Sequence, residues 1–279
     1  MRNDRGAIHA IWANIDALED DEPVMGCIPE RKLQISCPPV NFRCMMMNLE
    51  EMSDILKSSL GIRDNIVGVR LFKSEEEIPK DLNIVERPFR YCSMVQGARL
   101  EGKSYLAHAD YHECKGGASG LGLVECPENI RTGSLYFDKL HKCSTKDAGA
   151  MIAANMPRIL PGSTVASYVA PLDKMVVRPD VVIFVGNPLQ SRRIVQAAMF
   201  EEGGRMTFNT AGIQSFCVDA TSSPYLKGEV NVSLGCDGSV RNAGLGDEEV
   251  VVGIPFDMME RICTILKENY QGWDKFMRG

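Results

Sequence analysis

The sequence lacks the long apolar run that a membrane-spanning helix needs. Its longest candidate is the strand-sized segment Val181-Val182-Ile183-Phe184-Val185, whereas a span takes about 18 apolar residues or more. It also lacks the order of charged, apolar and small residues that predicts a secretory signal. There is no basic patch or stripe, and the formal net charge is −6, which disfavours nucleic acid as a partner. We therefore predict a soluble, cytoplasmic protein that engages neither membranes nor nucleic acids.

Three short motifs of known chemistry are missing as well. The glycine-dense stretch 114–123 contains no Gly-Lys-Ser/Thr, so it does not predict a phosphate-binding loop. The segment Gly117-Ala118-Ser119-Gly120 comes near the Gly-x-Ser-x-Gly pattern of hydrolases without matching it. No Cys-x₂-Cys pair occurs, although such pairs are usual in zinc ribbons and ferredoxins. Any metal site must therefore draw its ligands from distant parts of the chain.

Cysteine and methionine are the residues present in excess. The chain of 279 residues has 10 cysteines and 15 methionines, and it is long enough to bury a core without disulfide bonds. In the absence of an export signal, reduced thiols are expected. Some of them should pack as small core residues, and others are candidate metal ligands.

The first 46 residues differ in character from the rest. They mix acidic stretches, prolines and three cysteines without a sustained period. After Met45-Met46-Met47 comes a clear helix start, with Asn48 as the cap and Glu51 three residues later. We predict that residues 1–46 are an extension, either flexible or not native, and that 47–279 form a single domain. A genuine but irregular N-terminal arm is the alternative.

The rest of the chain alternates strand and helix patterns, which predicts an α+β fold. Helices are expected after Asn48, around 91–102, from the Thr145 cap to about 156, after Pro188, and after an Asp257 cap with Glu260 completing a capping box. Strands are expected at 66–72, 180–186, 229–234 and 249–252. The segment between Cys217 and Tyr225 is expected to be a loop.

Two blocks of the sequence resemble each other. In each, an aromatic residue precedes a cysteine, a Gly/Lys pair follows midway, and a second cysteine stands two residues before a glycine. Each block also lies downstream of an apolar strand. The matching pieces are Tyr91-Cys92 with Cys114-Lys115-Gly116, and Phe216-Cys217 with Cys236-Asp237-Gly238. We interpret them as two diverged half-repeats, about 47–165 and 166–279, each a small sheet with covering helices, packed as one compact body.

Related halves often pack about a pseudo-two-fold axis, and this would bring the four cysteines of the repeat together. Four thiolates suit an iron–sulfur cluster, or zinc as the alternative metal. The predicted ligands are Cys92, Cys114, Cys217 and Cys236. The backbone of Gly116, Gly117 and Gly238 would approach the sulfurs and form the cofactor-binding surroundings. In the simplest alternative, the four cysteines are only small core residues.

These residues favour a cysteine-ligated iron–sulfur protein, for electron transfer or for supplying a cluster or sulfur. Its partner would be a redox or cluster-accepting protein. A metal-free protein that binds a small molecule or cofactor between the half-repeats is one alternative. Another is a thiol enzyme that uses Cys114 or Cys236 as its nucleophile. His112 and Glu113 beside Cys114 are more simply explained as a surface strand end, and the pattern fixes no catalytic residue or oligomeric state.

At these positions the sequence resembles the uncharacterised domain-of-unknown-function family 169, found in anaerobic bacteria and archaea. The resemblance covers about 47–270. The matching pieces are Arg90-Tyr91-Cys92, Gly97-Ala98, the run from Cys114 to Leu123, Ser233-Leu234-Gly235-Cys236-Asp237-Gly238 and Val252-Gly253-Ile254-Pro255. It implies a cytoplasmic protein of oxygen-poor metabolism, and it implies no reaction.

Overall fold

The computed structural model describes residues 47–278, with side chains up to residue 269. The prediction that 1–46 are an extension lies outside this part of the chain. The described residues form a mixed α and β structure around one six-stranded antiparallel sheet. The α+β prediction is therefore confirmed. The strands of both predicted halves join this single sheet, whereas the sequence predicted a small sheet in each half.

The strands are β1 (Val67–Phe72), β2 (Tyr105–His108), β3 (Ala166–Pro171), β4 (Val181–Gly186), β5 (Asn231–Ser233) and β6 (Val250–Pro255). Their order across the sheet is β2-β3-β1-β4-β6-β5. Strand β1 pairs with β3 along its whole length, starting with Val67 opposite Pro171. Strand β4 pairs with β6 in the same way, starting with Val181 opposite Pro255. Strands β1 and β4 meet at the centre of the sheet.

The helices are α1 (Leu49–Leu60), α2 (Tyr91–Glu101), α3 (Lys115–Gly120), α4 (Glu128–Arg131), α5 (Lys146–Ala154), α6 (Pro188–Met199), α7 (Ser223–Lys227), α8 (Asp237–Ala243) and α9 (Met259–Arg278). Two π-helical segments occur at Leu135–Lys139 and Ser215–Ser222. Among the described residues, no helix is both long and apolar enough to cross a membrane.

Local sequence signals explain several helix ends. The Asn48 side chain caps α1 by accepting a hydrogen bond from the N–H of Glu51, as predicted. Thr145 caps α5 in the same way. The predicted capping box before α9 is wrong, because Asp257 pairs instead with Arg178 and a short 3₁₀ turn precedes the helix.

Both faces of the sheet are buried. Helices α1, α6 and α9 cover one face, where Phe184 and Ile254 are fully buried. Helix α2, helix α3 and the π-helix at 215–222 cover the other, over Val69 and Val251. The π-helix lies so close to β6 that a β-carbon on Gly253 would overlap the carbonyl group of Ala220. All four predicted cysteine ligands belong to this second layer or to its edge.

Candidate thiol site

The structure brings the four predicted cysteines around one cavity of about 310 Å³, which we call the thiol cavity. This volume lies at the lower end of the range for small-molecule and cofactor sites, roughly 300–1,000 Å³. Cys92, Cys114, Cys217 and Cys236 all line it. Cys126, Cys143 and Cys263 are free thiols elsewhere in the described part of the chain. The repeat in the sequence therefore selected the four cysteines that share a cavity.

Two of the cysteines occupy equivalent positions at helix starts. Cys114 is the N-cap of α3, and its Sγ accepts a hydrogen bond from the N–H of Gly117 at 3.4 Å. Cys236 is the N-cap of α8, and its Sγ accepts from the N–H of Ser239, also at 3.4 Å. Thiol N-caps satisfy donors that the helix itself leaves unpaired. Each sulfur is thereby held at the cavity wall by backbone geometry.

The other two cysteines come from the segments that follow the central strands. Cys92 lies in the first turn of α2, and Cys217 lies in the buried π-helix. The residue before the π-helix, Gln214, has a φ of 56°, which is uncommon for a residue other than glycine. π-helical turns and left-handed residues occur often at functional sites.

Cys236 has more hydrogen-bond donors than its counterpart. Besides the N–H of Ser239, the hydroxyl of buried Ser215 donates to its Sγ at 3.5 Å. The Cys236 N–H donates to the Ser239 hydroxyl at 2.9 Å, which completes a capping box. These contacts orient the Cys236 sulfur and favour its thiolate form.

The pKa values of the cavity thiols are shifted in different directions. Burial raises the pKa of Cys92 to about 11, and the neighbouring Cys236 and Cys114 add to the rise. Burial also raises the pKa of Cys217 well above its usual range, with further contributions from the other three cysteines. For Cys236, burial acts in the same direction, but hydrogen bonds from Ser215 and Ser239 outweigh it and lower the pKa. Cys92 and Cys217 thus lie close enough to the other cavity thiols for those thiols to affect their ionisation.

The predicted glycines play unequal parts. Gly117 supplies the N–H that binds the Cys114 sulfur. Gly116 leaves room for the side-chain amide of Gln214, because a β-carbon there would lie 2.7 Å from Nε2. Gly238 lines the cavity, but the N–H that binds Cys236 belongs to the next residue, Ser239.

The remaining walls of the thiol cavity are largely apolar and basic. The apolar side chains are those of Ile130, Leu135, Tyr136, Leu140, Ile213 and Phe216. Three cationic side chains and one carboxylate also line it, from Arg90, Lys142, Arg241 and Asp237. Arg90 is paired with Glu113, and Lys142 is paired with Asp237. The cavity therefore carries an excess of positive charge when its thiols are neutral.

The four cysteines line the cavity without forming a site for a single metal ion. Within residues 47–278, no group of three or more His, Cys, Asp or Glu side chains is arranged to hold a single metal ion. This arrangement differs from the compact four-ligand geometry of a structural zinc site.

Sequence reasoning missed several residues of the site. Ser215, Gln214 and Tyr136 carry no motif, and only the fold brings them to the cysteines. Ser239 was missed as well, because a cysteine followed three residues later by a serine does not match the usual Ser/Thr-x-x-Glu/Gln capping-box pattern. His112 was predicted at a surface strand end, and this was wrong. Its ring is buried and hydrogen-bonded through Nε2 to Ser167.

Comparison with known proteins supports the resemblance seen in the sequence. The chain is 38% identical over 208 residues to an uncharacterized protein, MJ0308, of Methanocaldococcus jannaschii, covering 74% of this chain and 88% of that protein. No solved structure matches the chain. The model of domain-of-unknown-function family 169, described as uncharacterised ArCR, matches residues 55–264. The chain therefore belongs to this family.

Proposed function

We propose that this chain is an iron–sulfur protein that transfers electrons in oxygen-poor metabolism, with Cys92, Cys114, Cys217 and Cys236 as its cluster ligands. The observation that carries the proposal is that four thiols from four separate segments line one cavity. Thiolates are the usual ligands of such clusters. When bound, the cluster would supply one-electron redox chemistry. Supplying a cluster or sulfur to another protein is a variant that uses the same ligands.

The shape of the site favours a cluster over a single zinc ion. A lone zinc ion needs its ligands about 2.3 Å away at one point, and the described residues offer no such group. A cavity of about 310 Å³ lined by four thiols has room for a larger, polynuclear centre.

Charge and hydrogen bonding support the same assignment. A cluster held by four thiolates carries net negative charge, and the cavity lining supplies three cations against one carboxylate, with Glu113 pairing Arg90 from outside the lining. The N–H groups of Gly117 and Ser239 already point at two of the sulfurs. Hydrogen bonds to ligating sulfurs are one of the means by which proteins tune cluster potentials.

We further propose that the domain is an internal duplication, with β1, β2 and β3 equivalent to β4, β5 and β6. Read from one edge, the strand order is β2-β3-β1-β4-β6-β5. Read from the other edge, with each strand replaced by its proposed equivalent, the order is the same. The caps agree as well, because α2 ends at left-handed Gly102 and α7 at left-handed Gly228, and Cys114 and Cys236 are both N-caps. Since β3 then belongs to the first half, the boundary moves from 165–166 to the link between β3 and β4.

The pairing at the centre of the sheet supports the duplication independently. If β1 and β4 are equivalent, a two-fold axis between them must exchange their partners. The pairs flanking the central one, Gly68 opposite Val182, are Val67 opposite Ile183 and Val69 opposite Val181. Under this equivalence Val67 corresponds to Val181, and their partners in the next strands, Pro171 and Pro255, correspond to each other as well. Each half would then supply two of the four thiols.

The test is purification without oxygen, followed by absorbance spectroscopy and analysis of iron, zinc and acid-labile sulfide. We expect wild-type protein to be brown and to contain iron and sulfide. Cys114→Ala and Cys236→Ala, one from each half, should both lose most of the cluster. Cys263→Ala is the matched control, because this cysteine lies in the opposite layer of the core.

Three outcomes would contradict the proposal. Colourless protein without metal, even after reconstitution with iron and sulfide, would favour a pocket for a small molecule instead. Cluster loss in only one of the two variants would contradict the joint use of both halves. Stoichiometric zinc without sulfide would support the zinc alternative.

A thiol enzyme is the second candidate, and the hydrogen bonds to the Cys236 sulfur favour that residue over Cys114. In metal-free protein at about pH 8, iodoacetamide is expected to modify Cys236 well before Cys92, because only thiolates react readily. The rate at Cys236 should rise with pH at a lower midpoint than at Cys92, whose pKa is raised to about 11. Mass spectrometry of peptides measures both rates, and Ser215→Ala should slow Cys236 selectively.

Reconstitution separates this candidate from the cluster. A catalytic Cys236 should stay reactive after treatment with iron and sulfide, whereas a ligand should become protected. Equal rates at Cys236 and Cys92 in the metal-free protein would remove the basis for a nucleophile at this position.

A further inference from the structure

A second depression adjoins the thiol cavity on its outer side, and we call it the outer groove. Its volume is about 600 Å³, and it is formed by the loop before α8, by α8 itself and by residues 211–212. It shares Lys142, Gly212, Cys236, Asp237 and Arg241 with the thiol cavity. Of the four cavity thiols, only Cys236 lines both. This sulfur therefore stands between the cavity and the surface.

The floor of the outer groove exposes apolar side chains. Leu234 is 76% exposed, the highest value among the large hydrophobic residues of the described chain. Val240 on α8 is also exposed and lines the same groove. Nearby Leu140, on the rim of the thiol cavity, is exposed too. Exposed apolar groups gathered beside a site and edged by charge are typical of protein contact surfaces.

The charge of the outer groove indicates the kind of partner. Lys142 and Arg241 line it against the single carboxylate of Asp237, which Lys142 already neutralises. Arg241 is exposed at the edge and leaves an excess of positive charge. An acidic surface with an apolar centre would complement this patch.

We infer that the outer groove is the docking surface for a small acidic electron-carrier protein that exchanges electrons with the thiol cavity through its Cys236 side. The inference rests on the function proposed above. With a cluster held by Cys92, Cys114, Cys217 and Cys236, the reduced carrier would give up one electron and the cluster would take it up, and no bond would form or break. Among the four proposed ligands, Cys236 is the one that borders both the groove and the cavity.

The test uses a small acidic ferredoxin as the carrier and the anaerobically purified full-length protein. Leu234→Glu places a carboxylate in the apolar patch without altering the wall of the thiol cavity. We expect the second-order rate of electron transfer at low salt to fall about tenfold, within the range of electrostatic steering effects. The wild-type rate should decrease with added salt, and the variant's rate should decrease less. Leu160→Glu is the matched control, because Leu160 is 72% exposed and lines neither depression.

Two further measurements distinguish failure of the docking surface from failure of the proposed function. Reduced methyl viologen, a small cation that needs no docking surface, should reduce wild type and Leu234→Glu at similar rates. Calorimetric titration of the ferredoxin reports binding whether or not a cluster is bound, and Leu234→Glu should weaken it about tenfold. A loaded cluster with equal ferredoxin rates and affinities in both proteins would overturn the docking surface alone.

The same experiment identifies other occupants. If wild type sediments as a dimer and Leu234→Glu as a monomer, a second copy of the chain covers the groove and the inference is overturned. If no cluster forms but the ferredoxin still binds through Leu234, the docking surface stands and the proposed function fails.

Discussion

Gly253→Ala is expected to lower the free energy of unfolding by about 3 kcal/mol, at the upper end of the usual cost of overpacking. Gly253 lies within β6, paired on both sides with β4 and β5. An added β-carbon would overlap the backbone carbonyl of Ala220 and press on Pro224. Backbone atoms cannot rotate away as a side-chain end can. The substitution must therefore push the π-helix off the sheet, and Cys217 with it.

Urea unfolding followed by circular dichroism measures this effect, and Gly68→Ala is the matched control. Gly68 is also a glycine in a central strand, but its β-carbon would meet the Met175 side chain at 2.8 Å, and that side chain can change rotamer. We expect a loss of about 1 kcal/mol there. If both variants lose the same free energy of unfolding, the close contact between β6 and the π-helix does not explain the effect of Gly253→Ala. Cluster content should fall in Gly253→Ala more than in the control.

The cysteine site was accessible from the sequence because its signal is local in each of the two similar sequence blocks. An aromatic–cysteine pair and a cysteine before a glycine can be recognised without knowing how the chain folds. The prediction that they meet at one place followed from the assumption that related halves pack about a pseudo-two-fold axis, with equivalent positions facing each other across it. The strong strands β1, β4 and β6 were predicted for a similar reason, since their apolar runs are continuous.

Helix α3 shows why other parts could not be predicted. Its sequence Lys115–Gly120 contains three glycines, which ordinarily disfavour a helix by about 1 kcal/mol each. Packing overrides this propensity. A β-carbon on Gly120 would lie 2.7 Å from the Val218 side chain, so the close approach of α3 to the π-helix requires glycine.

The π-helix at 215–222 was predicted as part of a loop because its polar residues carry no helical period. In the structure these residues are buried and hydrogen-bonded to distant groups. Ser222 donates to the carbonyl of Gly120, and the Asn231 amide donates to the carbonyl of Asp219. Such partners are set by tertiary structure, and a reading of local pattern cannot supply them.

Strand β3 was missed for a related reason, because polar Ser167 and terminal Pro171 interrupt its apolar run.

Arg99 links the two proposed halves through a buried ion cluster, and removing its partners is expected to be costly. Its guanidinium lies in α2, 8% exposed, and contacts Asp64 at 2.6 Å and also Glu249, which precedes β6. Asp64→Asn with Glu249→Gln would leave this charge buried and uncompensated. We expect a loss of about 2–3 kcal/mol in the free energy of unfolding, less than for a wholly buried pair because both carboxylates are partly exposed.

Adding Arg99→Met to the double variant should recover part of the loss, because the uncompensated charge is then gone. The pH dependence gives a second check. Hydrogen bonding to Arg99 lowers the pKa of Glu249, so its contribution to stability is present at neutral pH and is lost as pH falls through the acid range. Urea unfolding at neutral and acid pH should therefore show a smaller acid-side decrease in the double variant than in wild type. If the triple variant is less stable than the double, the buried charge is not the source of the loss, and direct bonding by Arg99 must hold the halves together.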